Sequence, residues 1–228
     1  MKAMTSLSKS LERREDRSTR TQILETAGNI FALKGFDRTT GKEITEQAQC
    51  NSAAINYHFG GVEGLYGEVL VEAHHRLLNY EELRNLECLS LEPTEKLKIF
   101  TKLLMKAILS SEKSSWPLRV FGREILSPSK VFSVLMEREL IPKQQLVSKF
   151  IAEYLDIPVD HAITGIATLS FIAPYIMLLI GNRQMLTKII PVLFDESQNP
   201  ESLLCHLQTF SFGGLEALKR SLDLTQIK

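Results

Sequence analysis

Apolar residues recur along this chain with a helical period almost from end to end. Ile23, Ala27, Ile30 and Phe31 fall at i, i+4, i+7 and i+8, one stripe down one helix face. No long segment alternates apolar and polar residues between turn signals, as a half-buried strand would. The pattern predicts an all-α fold. Residues 1–17 are polar and densely charged and read as a flexible N-terminal arm. A first helix should open at Ser18 or Thr19, both good N-cap types. It should stop at Gly35, where a C-terminal cap belongs.

The next elements are short. Thr40 with Glu43 three residues on makes a capping box. Ile44 and Ala48 lie one turn apart, so this helix should end near Gln47 or Ala48. Asn51 is an N-cap type for another helix, anchored by Ile55 and Phe59. Three helices in so short a span, the last two joined by a tight turn, make a helix-turn-helix. After Gly61 the stripe Leu65, Val69, Leu70 and Ala73 predicts a long helix into the mid-80s. Pro93 and Thr94 open the next, to about Ser111. Pro117 opens a short one that ends before Ser127-Pro128-Ser129. Residues 130–155 read as helical, with Pro142 forcing a break or kink. Val159 to the late 180s is one apolar segment kinked at Pro174, and Pro200 opens the last helix, to about Leu222. The expected organisation is an arm over 1–17, a helix-turn-helix domain over 18–62 and a helical ligand-binding and dimerisation domain over 63–228.

The stretch from Ala162 to Gly181 has no charged residue and is long enough to span a bilayer. It also holds Thr164, Thr168, Ser170, Pro174 and Tyr175, and small residues at Gly165, Ala167 and Ala173. A helix packed between subunits looks the same. With residues 201–220, where Gly213-Gly214 permits close approach, it predicts an isologous four-helix dimer interface. A single-span membrane protein with a helix-turn-helix head stays as the alternative.

Charge adds little. The formal net charge is zero, so composition alone does not point to nucleic acid. From Met1 to Gly61 nine cations stand against seven carboxylates, with Arg13, Arg14, Arg17 and Arg20 close together. Cys50, Cys88 and Cys205 are far apart, and the first 20 residues lack a leader pattern. Both fit a reducing cytoplasm.

The chemistry concentrates in "AINYHFGG", Ala54 to Gly61. His58 has no Cys, His or carboxylate at metal-ligand spacing, and His74-His75 and Cys205-His206 are adjacent pairs on different faces, so no metal is expected. Gly60-Gly61 follows no strand and precedes no Lys-Ser/Thr, so the phosphate-loop patterns fail. Nothing marks a triad or nucleophile elbow. Neither an enzyme nor a cofactor is expected. Helix-turn-helix spacing instead lays the second helix in a DNA major groove. Ser52, Ala53, Ala54 and Asn56 would then face base edges, and Asn can pair with adenine N6 and N7. Tyr57 and His58 would reach phosphates, and Thr40 would offer its hydroxyl to another. The plainer reading has Tyr57 and His58 merely packing the small domain.

These residues carry a resemblance. Ile23-Leu24-x-x-Ala27, Phe31-x-x-Lys34-Gly35-Phe36, Thr39-Thr40, Glu43-Ile44, Ala48, Ile55-Asn56-Tyr57-His58-Phe59 and Glu63-x-Leu65-Tyr66 resemble the DNA-binding domain of TetR-type transcriptional regulators, in order and spacing, over Thr19 to Leu70. The resemblance implies an all-helical homodimer, usually a repressor released by a small-molecule effector. It implies that Thr40, Tyr57 and His58 touch the DNA backbone and that Ala54 and Asn56 face bases. The expected DNA-binding set is Arg20, Thr39, Thr40, Lys42, Ser52, Ala53, Ala54, Asn56, Tyr57 and His58. Two positions depart from the family pattern. Val62 stands where a phosphate-binding Lys is usual. Gln49-Cys50 replaces Gly and an aliphatic residue in the turn, which asks Gln49 for a left-handed conformation. Further on, "FGREILSPSKVF", Phe121 to Phe132, resembles the CecR-like (YbiH-like) branch with its CerR-type C-terminal domain. That resemblance implies repression of efflux or drug-response genes.

An effector pocket could be lined by Phe100, Leu104, Trp116, Arg119, Phe121, Arg123, Glu124, Phe132, Met136, Phe171 and Tyr175. The plainer reading makes most of these core. Trp116, Arg123, Glu124 and Tyr175 combine apolar area with polar handles, as a small-molecule site needs. The expected partners are a pseudo-palindromic double-stranded DNA operator, an unidentified effector and a second copy of the chain, with no membrane. Two recognition helices about 34 Å apart would fit successive major grooves. An effector preferring another separation would release DNA, with the helix after Gly61 carrying the shift. An activating or ligand-independent DNA binder is the alternative.

Overall fold

The charged N-terminal segment contains neither Pro nor Gly before Gly28, and it is rich in strong helix formers. In the computed structural model, which describes residues 2–110, 116–194 and 200–226, it forms a single helix α1, Lys2–Lys34. The expected flexible arm over 1–17 is therefore the first half of α1, and neither Ser18 nor Thr19 caps a helix. No strand occurs among the described residues, as expected of an all-α chain.

Local signals set the next three elements. Gly35 ends α1 at φ 81°, its N–H bonded to Phe31 O at 2.8 Å. Helix α2, Gly41–Gln47, is capped by Thr40, whose hydroxyl accepts from the Glu43 N–H at 3.3 Å. Gln49 takes the left-handed conformation its place in the turn demands, φ 51°. Helix α3, Ala53–Phe59, opens with the Ala53 N–H donating to Asn51 Oδ1 at 2.9 Å and closes at Gly60, φ 72°. Helix α4, Val62–Leu77, starts almost on top of α3: a Cβ on Gly64 would lie 1.9 Å from Phe59 O, so only glycine fits there. Ile23, Ala27, Phe31, Ile44, Ile55 and Phe59 close a small core with Leu65 and Tyr66 of α4.

The long helix expected after Gly61 is two helices. Leu78 is extended, and Asn79 Oδ1 accepts from the Glu81 N–H at 2.8 Å to start α5, Tyr80–Cys88. Glu81 and Glu82 in the first turn favour that break. Helices α6, Pro93–Ser110, and α7, Trp116–Leu126, follow. Pro142 breaks the next segment in a specific way. It cannot donate to Arg138 O, and the chain widens there into a π turn, Met136–Leu140, between α8, Phe132–Leu135, and α9, Ile141–Leu155. The apolar segment also divides. Helix α10, Ala162–Ile180, contains Pro174, and Asn182 caps a separate α11, Arg183–Ile189, by accepting from the Met185 N–H at 3.0 Å. A 3-10 turn, Pro191–Phe194, precedes α12, Pro200–Gln226, which runs past the expected Leu222.

Helix α7 is central. It packs on α1 and α4 on one side and on α10 on the other. Helices α10 and α12 lie side by side on α6 and α9. Their outer faces expose Ile166 (67 %), Leu169 (65 %), Met177 (61 %) and Phe210 (72 %).

Candidate nucleic-acid interface

Helix α3 and its N-cap Ser52 divide by helical period. Ile55 and Phe59 turn inward and are buried; Ser52, Ala53, Asn56 and Tyr57 turn outward, and Ala54 is half-buried. Tyr57 is 75 % exposed, a large aromatic held open to solvent. The Asn56 carbonyl accepts from Gly60 N–H at 3.0 Å, while its exposed carboxamide has no hydrogen-bond partner among the described residues. The Thr40 hydroxyl oxygen is occupied by Glu43 N–H, and its O–H remains to donate outward. Lys42 is exposed, with Glu46 one turn along at 3.8 Å. These residues are solvent-accessible positions of the contacting α2 and α3 and of their N-caps.

Three expected contacts are not among them. Thr39 is buried and its hydroxyl donates to Gly35 O at 2.7 Å, closing the turn that ends α1. Arg20 donates to Glu68 at 2.9 Å and lies over the Phe59 ring at 5.0 Å, tying α1 to α3 and α4. The His58 side chain is only 8 % exposed and its Nε2 sits 3.7 Å from Asp16 on α1. Tyr57 and His58 are sequence neighbours and so about 100° apart on a helix, which is why one faces out and the other in. Two exposed cations were missed. Arg17 and Arg38 carry no ion pair among the described residues. The available signal was that Arg38 directly precedes the Thr39-Thr40 turn. Val62 has a structural role in place of the usual cation: it packs against the start of α2, 3.1 Å from where a Cβ of Gly41 would stand.

The residues expected around an effector do not surround one site. Phe100, Leu104, Phe121, Phe171 and Tyr175 are buried in the core, whereas Met136 lies at the surface and Phe132 is half-buried. Trp116 leaves the second domain and clamps the first. Its indole lies on α1 where a Cβ of Gly28 would be 2.5 Å from the ring, and its N–H donates to Glu25 at 2.9 Å. Arg76 of α4 stacks over that indole at 5.1 Å and also pairs with Glu25. Burial pushes the Glu25 carboxyl up, but Arg76 and Trp116 together hold it below its ordinary value. Arg123 lies against Gly35 at the end of α1. Glu124 accepts from the Tyr66 hydroxyl at 2.8 Å and from the Ser129 N–H at 2.8 Å. Burial and the neighbouring Glu124 push the Tyr66 phenol far up, so it stays a donor. Arg119 is exposed on the same helix.

Two further charged groups bridge the same junction. Glu68 of α4 accepts from Arg20 and from Arg138 of the π turn, beside a groove of about 430 Å³ lined also by His58, Phe59 and Val134. Deeper, Lys143 of α9 donates to Glu139 and to His74 of α4, the latter at 2.8 Å. Burial holds both His74 and Lys143 below their ordinary values. Burial also pushes Glu139 up, but His74 and Lys143 outweigh it and hold the carboxyl down.

The chain is similar to known proteins along most of its length. The model described as bacterial regulatory proteins, tetR family, matches residues 23–69. The model described as the C-terminal domain of the HTH-type transcriptional dual regulator CecR matches residues 93–215. The probable HTH-type transcriptional regulator YttP of Bacillus subtilis is 24 % identical over 165 residues, 70 % of this chain and 78 % of that one. Two solved structures share the fold. The fatty acid degradation regulator FadR from Bacillus halodurans has a TM-score of 0.64 at 17 % identity, over 86 % of this chain and 96 % of its own. A putative transcriptional regulator from Pseudomonas aeruginosa PAO1 has a TM-score of 0.67 at 15 % identity, over 89 % and 92 %. These relatives are regulators rather than enzymes. With the second model alone spanning more than half its length, the chain belongs to the TetR family of helix-turn-helix DNA-binding transcriptional regulators and carries a CecR-type C-terminal domain.

Proposed function

We propose that this regulator is a homodimeric, CecR-like repressor of efflux or drug-response genes, released from a pseudo-palindromic operator by a small-molecule effector. The observation that carries the DNA-reading part is the division of α3 into a buried Ile55-Phe59 side and an open Ser52-Ala53-Asn56-Tyr57 side. Asn56 and its small neighbours read base edges. Tyr57, Thr40, Lys42 and the unpaired Arg17 and Arg38 hold phosphates. The apolar outer stripe of α10 and Phe210 of α12 meet their counterparts across a two-fold axis. The same helix buries Thr164, Thr168, Phe171 and Tyr175 on its other side, which suits packing between subunits better than exposure to lipid all round.

The effector binds among Phe100, Leu104, Phe171 and Tyr175. The Tyr175 phenol lies against Ser211 and Thr101, but too loosely for a hydrogen bond, so the buried Tyr175 and Ser211 hydroxyls are free to take a ligand's polar group. Helix α7 spans from that core to the Trp116 clamp on α1 and, with α4, transmits the change in helix separation. The likeness of residues 93–215 to the C-terminal domain of a dual regulator favours a second reading, in which the same chain also activates some promoters.

Genomic binding-site selection with the purified protein supplies the operator, and fluorescence anisotropy on it tests the face. Tyr57→Ala and Asn56→Ala should each weaken binding about tenfold with the melting temperature retained, as loss of one DNA contact does. His58→Ala should cost less, because its ring is inside. Unchanged affinity for Tyr57→Ala would refute the assignment. Affinity should also fall steeply with salt, and a reporter gene placed behind the operator gives the sign of control.

A further inference from the structure

Among the described residues helix α11 has no broad seat on its own chain. It and the following 3-10 turn pack mainly on each other. The segment is locally ordered: Asn182 caps it, Leu186 folds back on Gly181, and Ile190 N–H bonds to Leu186 O at 2.8 Å. Yet it holds large apolar side chains in solvent. Met185 and Ile189 lie one turn apart on one face, at 53 % and 67 % exposure, and Ile190 and Val192 extend the patch. A structured apolar segment without a partner marks an interaction surface.

Its connections say which partner. It leaves α10 at Gly181, just beyond Met177, so the exposed stripe Ile166, Leu169 and Met177 runs onto it. It returns to α12, whose outer face carries Phe210 and the open Gly213-Gly214. Both flanking helices belong to the dimer seam, and a two-fold axis through that seam brings a segment between them against the other copy. We propose that residues 181–193 form an arm that packs on a second copy of this chain and lengthens the α10–α12 seam. This rests on the homodimer reading given above.

The test uses the full-length protein in two ways. Met185→Glu with Ile189→Glu changes only exposed positions. It should weaken dimerisation by about tenfold or more in dilution light scattering, the effect of losing a buried apolar anchor, with secondary structure and melting of the monomer retained. A photo-reactive benzoyl-phenylalanine at position 189, in a mixture of isotope-labelled and unlabelled copies, should give cross-linked peptides that pair the two labels. Cross-links confined to one chain, or an unchanged dimer constant for the double variant, would overturn the arm. So would binding of the parent to phosphatidylcholine vesicles that Ile189→Glu abolishes, which would assign the patch to lipid. Leu169→Glu on α10 separates the two readings. If it dissociates the dimer while the arm variants do not, only the arm fails. If the parent is monomeric throughout, both fail.

Discussion

Two faces of α10's domain contrast sharply. On the side of α7 the junction with the N-terminal helices is fixed by directional contacts: Trp116 N–H to Glu25, Tyr66 hydroxyl to Glu124, Glu68 between Arg20 and Arg138, Lys143 between His74 and Glu139. On the far side, α10 and α12 offer Ile166, Leu169, Met177 and Phe210, apolar side chains that specify no angle. Hydrogen bonds and ion pairs lose strength steeply with misalignment, whereas apolar burial is non-directional. The junction therefore fixes the N-terminal helices against the second domain, and in the dimer proposed above the outer face supplies the association energy. A regulator that measures the spacing between two operator half-sites needs both.

The comparison can be broken most severely from the apolar side. Leu169→Glu puts a charge at the centre of the stripe. Burying an unpaired carboxylate is costly enough that dimerisation should weaken by at least about 100-fold, with operator affinity falling alongside it. Light scattering and anisotropy read the two effects. A dimer that survives would mean the face is not the interface.

The junction should respond to smaller changes. Gly28→Ala places a methyl group 2.5 Å from the Trp116 ring. Overpacking of this kind costs about 1–3 kcal/mol, visible in urea unfolding, and displaced aim should appear as weaker operator binding in the intact dimer. Trp116→Leu with Gly28→Ala should recover part of the stability by removing the clash, but not the Glu25 contact.

The buried His74–Glu139–Lys143 group makes the junction sensitive to acid. Burial holds His74 below its ordinary 6.5, so below that pH the unfolded chain takes up a proton that the folded chain resists. Its contribution is complete above pH 6.5 and lost as pH falls. Glu139 is held below 4.5, so its contribution is present above that value and lost on further acidification. Unfolding free energy should decline in two steps, each at no more than about 1.4 kcal/mol per pH unit. His74→Asn should remove the upper step and shrink the lower to the part that Lys143 sustains, in urea titrations at successive pH values. The smallest effect belongs to Trp116→Phe. It keeps an aromatic ring over Gly28 but removes the N–H to Glu25, for about 1–2 kcal/mol.

What the chain's one-dimensional pattern revealed was whatever is fixed within a few residues. Thr40 accepting from the Glu43 N–H, Asn51 accepting from the Ala53 N–H ahead of α3 and the left-handed Gln49 are local, and the structure has all three. The Glu43 carboxylate, however, pairs with Lys34 instead of closing the box, and Ser52 is the N-cap of α3. The second cap at Asn79 was hidden because apolar positions continue across it at helical spacing, so the period outlasted the helix. Side-chain destinations were harder still. Trp116 reads as a pocket aromatic until Gly28 and Glu25, some 90 residues earlier, are seen beside it. Thr39 and Thr40 are indistinguishable as a pair, yet one hydroxyl closes a turn inside and the other caps a helix outside. The face of α3 follows directly from period, which turns His58 away from Tyr57 and toward Asp16 of α1.

Trp116 is the chain's single tryptophan. It sits in α7 against α1 and α4, with the paired Glu25 carboxylate at its N–H and the Arg76 guanidinium over its ring face. Excited at its red edge, the unmodified protein emits from this junction alone. Any shift in that emission, on DNA or on a candidate effector, is a reading of the domain angle taken without a label.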